Sequence, residues 1–80
     1  MILNFTTTNR HSGEGVLTGV LIDPSAAAWA VAITDKAGKI LFQAGGAADA
    51  PFYAGPINEP FVDLNITTAT NITRIICYVK

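Results

Sequence analysis

Only one stretch of this chain has a composition that favours a helix, and its side-chain period makes it a strand. Residues 26–34 are rich in alanine, the strongest helix former. Within them Trp29, Val31 and Ile33 alternate with Ala28, Ala30 and Ala32, a period of two. A helix scatters such a set around its circumference, whereas a strand gathers the three large side chains on one face. With that candidate gone, the chain reads as strands throughout.

Turn signals cut the rest into short pieces. Residues 2–7 alternate Leu3 and Phe5 against Asn4 and Thr6, a first strand. Residues 9–15 are polar and glycine-containing, hence a loop. Residues 16–23 form a second strand, in which Gly19 marks a bulge or a close backbone approach. Asp23, Pro24 and Ser25 turn the chain into the alternating stretch. Asp35 to Lys39 then closes a hairpin, Asp bonding its own backbone and Gly38 supplying a positive φ. Residues 40–44 therefore pair antiparallel with residues 26–34.

Residues 45–50 form a small-residue loop. Prolines 51, 56 and 60 limit residues 52–54 to a short or edge strand, because proline lacks the ladder N–H. In residues 61–67, Val62, Leu64 and Ile66 take one face and Asp63, Asn65 and Thr67 the other. A turn at residues 69–71 leads to the last strand, residues 72–79, which is apolar on both faces. Ile72, Ile76 and Tyr78 line one face; Ile75, Cys77 and Val79 line the other. A strand covered on both sides lies centrally or in a subunit contact. The expectation is all-β: one domain, residues 1–80, built as a small antiparallel β-sandwich of jelly-roll type from about seven short strands. A small barrel is the alternative, and residues 1–10 are expected as an N-terminal arm reaching a neighbour.

Size and charge say what such a domain needs. A chain of 80 residues buries about 60–65% of the surface its unfolded form exposes, a thin margin. Small scaffolds usually reinforce themselves with disulfides, a metal or oligomerisation. A single cysteine makes no internal disulfide, and one histidine beside it makes no closed metal site. Charged residues are 14% of the chain against about 25% for an average domain, while 50% of residues are apolar. Apolar surface is therefore expected to meet a partner, and a homo-oligomer is expected.

The same counts exclude several classes. A net charge of −1 without a basic cluster argues against nucleic acid, whose phosphates need Lys and Arg. No apolar run reaches the 18–20 residues of a membrane span. The opening residues lack the basic start and apolar stretch of a signal peptide, so synthesis in a reducing cytoplasm is expected. The Asn-x-Thr triplets at Asn4, Asn65 and Asn71 then read as ordinary β-rich composition.

Catalysis is not expected. The titrating side chains His11, Glu14, Asp23, Asp35, Glu59 and Asp63 sit mostly in or beside turns, with no tuning partner in sight. Cys77 lies between Ile76 and Tyr78 in an apolar strand, where desolvation raises a thiol's pKa, and so reads as structural. Neither glycine-containing loop carries the lysine or the strand-to-helix context of a phosphate cradle. No cofactor and no metal are expected.

The segment order resembles small virion proteins of tailed bacteriophages, of the kind that decorate or cement the capsid. The resemblance runs from about Gly15 to Val79. It is carried by VLTGVLID, by AVAITDKAGKILF with a strand ending in Asp, by the proline-interrupted GPINEPF and by the closing ITRIICYV. It implies a structural component of the particle, often trimeric, bound to the major capsid protein or other virion proteins and without cofactors. The contacts are expected at Ala28, Ala30 and Ala32 on the small face, at Phe52, Tyr53 and Phe61 around the prolines, and at Ile76 and Tyr78 on the last strand. A receptor- or carbohydrate-binding module of a tail fibre or adhesin is the alternative, using Phe52, Tyr53, Asn58 and Glu59.

Overall fold

The computed structural model describes residues 1–47 and 50–80. Seven strands follow in chain order: β1 (Ile2–Phe5), β2 (Asn9–Pro24), β3 (Trp29–Thr34), β4 (Ile40–Gly46), β5 (Phe52–Ala54), β6 (Glu59–Thr70) and β7 (Ile72–Val79). They form one antiparallel sheet in the order β1-β7-β2-β6-β3-β4, with β5 joined to β2 off this path. Alternation fixes the inner face. Trp29, Val31 and Ile33 of β3 are buried, as are Leu64 and Ile66 of β6 and Ile75, Cys77 and Val79 of β7. Such a sheet, with no helix among the described residues to cover it, buries its apolar face only by folding over on itself. The inward side chains of every strand but β5 accordingly meet in one cluster. The molecule is a small β-sandwich whose two layers are halves of a single sheet.

The long strand β2 makes this possible by changing partners near Leu17. Its first half pairs with β6, from Asn9 opposite Ile66 to Leu17 opposite Glu59. Its second half runs between β7 and β5. A register shift between Leu17 and Gly19 marks the change. At the other end of the sandwich β6 and β7 are separated by Asn71 alone, yet neither pairs with the other. Asn71 adopts φ 54°, the left-handed region that Asn tolerates better than most residues. Its Nδ2 donates to the Ala27 and Ala28 carbonyls at 3.0 and 3.3 Å, and its own carbonyl accepts from the Ser25 N–H at 2.8 Å. This clasp ties the β6–β7 corner to the β2–β3 corner.

The hairpin expected across Asp35 to Lys39 is present, with Val31 opposite Ala44. The short strand at residues 52–54 is β5, flanked by Pro51 and Pro56. Five expectations need correction. Residues 9–15, expected as a loop, belong to β2, because their backbone finds ladder partners in β6 regardless of side-chain polarity. The expected third strand begins later, at Trp29, since Ala28 turns the corner at φ 60°. In β6 the expected faces hold for Leu64 and Ile66 but not for Val62: at a bulge in β2, Ser12 and Gly13 together oppose Asp63, which sits at φ 60° and breaks the alternation. Phe61 is therefore 4% exposed and Val62 47% exposed, the reverse of the simple alternation. Residues 1–10, expected as an arm, are laid down on the domain. β1 pairs with β7, and the Met1 ammonium donates to the Val79 carbonyl at 2.8 Å. The loop expected at residues 45–50 gives Gly45 and Gly46 to β4, and Ala48 and Asp49 lie outside the described residues.

Candidate interaction face

Registers decide which side chains share the outer face of the layer β1-β7-β2-β5. Ile2 lies opposite Tyr78, and Tyr78 opposite Gly19. One row further, Asn4 lies opposite Ile76, Ile76 opposite Leu21 and Leu21 opposite Tyr53. Residues directly opposite in a ladder point to the same side. Cys77 and Val20, in the intervening row, are fully buried, so these two rows face outward. Ile2, Leu21, Tyr53, Ile76 and Tyr78 thus form an apolar band across all four strands, with Ile2 66% and Tyr53 57% exposed.

Glycine shapes the band. A β-carbon on Gly19 would stand 2.8 Å from the Tyr53 hydroxyl oxygen, so Gly19 leaves room for that ring to lie over the sheet. The Tyr53 ring meets the Tyr78 ring edge-on, with centroids 6.2 Å apart. The Thr18 hydroxyl, at the register shift, donates to the Tyr78 carbonyl at 3.0 Å. Arg74 and Asp23 close the far end of the band with an ion pair at 3.6 Å.

The expected contact residues divide. Tyr53, Ile76 and Tyr78 come together on this face. Phe52, the neighbour of Tyr53 in β5, points the other way and packs its ring against Trp29 at 5.6 Å. The two rings border a small cavity of about 280 Å³ with Gly46 and Pro51. Phe61 belongs to the core. Ala30 and Ala32 lie half-buried on the outer face of β3, beside Thr70 and Gly45 and beside Thr68 and Gln43, and Ala28 is in the corner. Leu21 was not expected in a contact, and Ile2 only as part of an arm reaching a neighbour. Both were legible as outward neighbours of Tyr78 and Tyr53 once the strand order was known.

Four of the titrating side chains, Asp23, Asp35, Glu59 and Asp63, have structural work. The Asp35 carboxylate accepts from the Ala37 and Lys39 N–H groups at 3.0 and 2.9 Å, holding the hairpin turn. Asp63 Oδ1 accepts from the Gly13 N–H at 2.9 Å, across the bulge. Glu59 pairs with Lys39 at 3.2 Å. Burial in the apolar interior pushes the Cys77 thiol from 9.0 up to about 12. Among the described residues no three His, Cys, Asp or Glu side chains converge to hold a metal ion.

An open groove of about 750 Å³ runs between Glu14 and Gly15 on one side and Lys36 and Ala37 on the other, floored by Pro60 and Val62. Beneath the turn that borders it, Asn65 Nδ2 donates to the Asp35 carbonyl at 3.2 Å, while its buried Oδ1 has no partner within the protein. Comparison with protein-family models, with curated proteins and with solved structures gives no match.

Proposed function

We propose that this chain is a structural subunit without catalytic activity, which binds another protein through the band of Ile2, Leu21, Tyr53, Ile76 and Tyr78. The observation that carries this reading is the band itself. An antiparallel layer with one face on the core normally turns polar side chains outward. Here, with Asn4 the one polar side chain in the two outward rows, every strand of the layer from β1 to β5 contributes an apolar residue.

Four strands about 4.8 Å apart and about five residues long span roughly 300 Å². That is the size at which an exposed patch on a monomer is often functional, about 300–600 Å². It is also well below the roughly 800 Å² per partner of a stable interface. One copy therefore binds weakly, and several copies displayed together bind by avidity. A repetitive partner surface suits such a subunit. In its specific form, supported by the family resemblance, the proposal is a decoration or cement protein of a tailed-phage virion, a homo-oligomer seated on the major capsid protein.

Co-sedimentation with purified capsid shells tests it. The wild-type chain is expected in the pellet at high copy number, and Tyr53→Ser in the supernatant. Wild-type protein that ignores shells but binds a glycan array, with binding lost in Tyr53→Ser, would replace this reading with the carbohydrate-binding one.

A further inference from the structure

The edges of the sheet are not equally protected. Natural sheets blunt exposed edges with charge, proline, bulges or very short strands, because open N–H and C=O groups invite another strand. The three-residue strand β5 has Pro51 before it and Pro56 after it. The first half of β2 carries Arg10, Glu14 and the bulge against Asp63. β1 and β4 end the strand order and contain neither charge nor proline, and β4 is regular from Phe42 to Gly46.

These two ends also match one another. Met1 and Val79 exchange hydrogen bonds in both directions, at 2.8 and 2.9 Å. Antiparallel ladders alternate, so the backbone groups of Ile2 and Asn4 point away from β7 to the free edge. In the β3–β4 hairpin the Asp35 N–H donates to the Lys39 carbonyl at 2.9 Å. The same alternation aims Ile33, Val31 and Trp29 at β4 and leaves Gln43 and Gly45 with their backbone groups at its free edge. Side-chain direction agrees: Ile2 and Asn4 face outward, as do Gln43 and Gly45, which lie opposite the outward Ala32 and Ala30. Strands alternate in direction along the path, so β1 and β4 run oppositely.

We propose that β1 of one copy pairs antiparallel with β4 of the next, closing copies of this chain into a ring. Ile2 then lies opposite Gly45, Leu3 opposite Ala44, Asn4 opposite Gln43 and Phe5 opposite Phe42. A shift by two residues would keep hydrogen-bonding phase and facing, but only this register sets all four residues of β1 against the regular stretch from Phe42 to Gly46. Ile2 covers a glycine, the two amides face each other on the outside, and the two phenylalanines meet on the inner side. A two-fold pairing of β1 with itself leaves both β4 edges bare; head-to-tail pairing covers every unprotected edge with a single kind of contact.

The inference rests on the functional reading only in that copies associate, and Tyr53 on β5 lies on neither edge. Sedimentation velocity over rising concentration is expected to show the mass climbing from 8.4 kDa to a fixed multiple and stopping. The double variant Asn4→Lys with Gln43→Lys sets like charges across the joint, and its association is expected to weaken at least tenfold. Asn4→Lys with Gln43→Glu is expected to restore it. Asn4 and Gln43 are both exposed, so a circular-dichroism melt of either double variant should remain cooperative. A wild-type mass of 8.4 kDa at every concentration, growth without limit, or a two-lysine variant that assembles like wild type overturns the proposal. Tyr53→Ser that loses shells yet still forms rings separates failure of the joint from failure of the face.

Discussion

β3 and β7 do the same work on the inside and opposite work on the outside. Each buries three side chains in the shared core: Trp29, Val31 and Ile33 from one, Ile75, Cys77 and Val79 from the other. Outward, β3 shows Ala30, Ala32 and Thr34, flanked by Thr68, Thr70, Gln43 and Gly45. β7 shows Ile76 and Tyr78, flanked by Ile2, Leu21 and, beyond Leu21, Tyr53. The inner row is what folding requires of either strand. The outer row is free to vary, and its apolar content on β7 is unexplained by the core.

Truncating both inner rows tests whether β3 and β7 share one core. Ile33→Ala and Ile75→Ala remove side chains with no exposed area from the two layers. Each is expected to cost about 2–5 kcal/mol in denaturant unfolding, because both leave a cavity in one core. A small loss for one and a large loss for the other would show two cores instead of one.

Next comes a difference within the inner rows, since only β7 contributes an ionisable group. The folded thiol of Cys77 is raised from 9.0 to about 12, so the folded state holds its proton more tightly. Its contribution is fully present below pH 9 and is lost as pH rises towards 12, by as much as about 4 kcal/mol. Cys77→Val is therefore expected to lose less stability than wild type between pH 9 and 11 in urea titrations. Parallel curves for the two proteins would mean the thiol ionises without resistance.

Asn71→Ala probes what joins the layers, and about 2 kcal/mol is expected from the lost hydrogen bonds and the strained φ. Asn71→Gly relieves the strain and should cost about half as much. Thermal melts of the two variants test this ordering.

Why the inner rows were legible and the outer contact was not follows from these same residues. Alternation in β3 and the Asp35–Lys39 turn are local signals, and they specified a hairpin and its core face without any knowledge of the fold. The bulge at Ser12, Gly13 and Asp63 is not local. It depends on β2 meeting β6, and it alone sends Phe61 inward and Val62 outward. The polar stretch from Asn9 reads as a loop because strand pairing uses backbone groups that side chains do not announce. Tyr53 on one strand and Ile76 and Tyr78 on another were legible as contact residues; that they meet, with Ile2 and Leu21 between and beside them, is a property of strand order. Parity already excluded Phe52 and Tyr53 from one patch, since adjacent residues of a strand point to opposite faces.

The smallest expected change in stability separates the two outer rows most cleanly. Ala32→Thr and Ile76→Thr should each shift stability by about 1 kcal/mol or less, since neither side chain is fully buried. Binding should diverge, with Ile76→Thr weakening capture by shells and Ala32→Thr leaving it unchanged. Gly19→Ala goes further because it touches no partner itself. Its β-carbon would stand 2.8 Å from the Tyr53 hydroxyl oxygen, and the ring end can swing away, so the fold should lose little. A ring so displaced no longer lies over the sheet, and the band loses its largest exposed side chain. Equal loss of shell binding in Gly19→Ala and Tyr53→Ser, with melts near wild type, would assign the contact to the placement of that ring. Retained binding in Gly19→Ala would assign it to the aliphatic rows beneath.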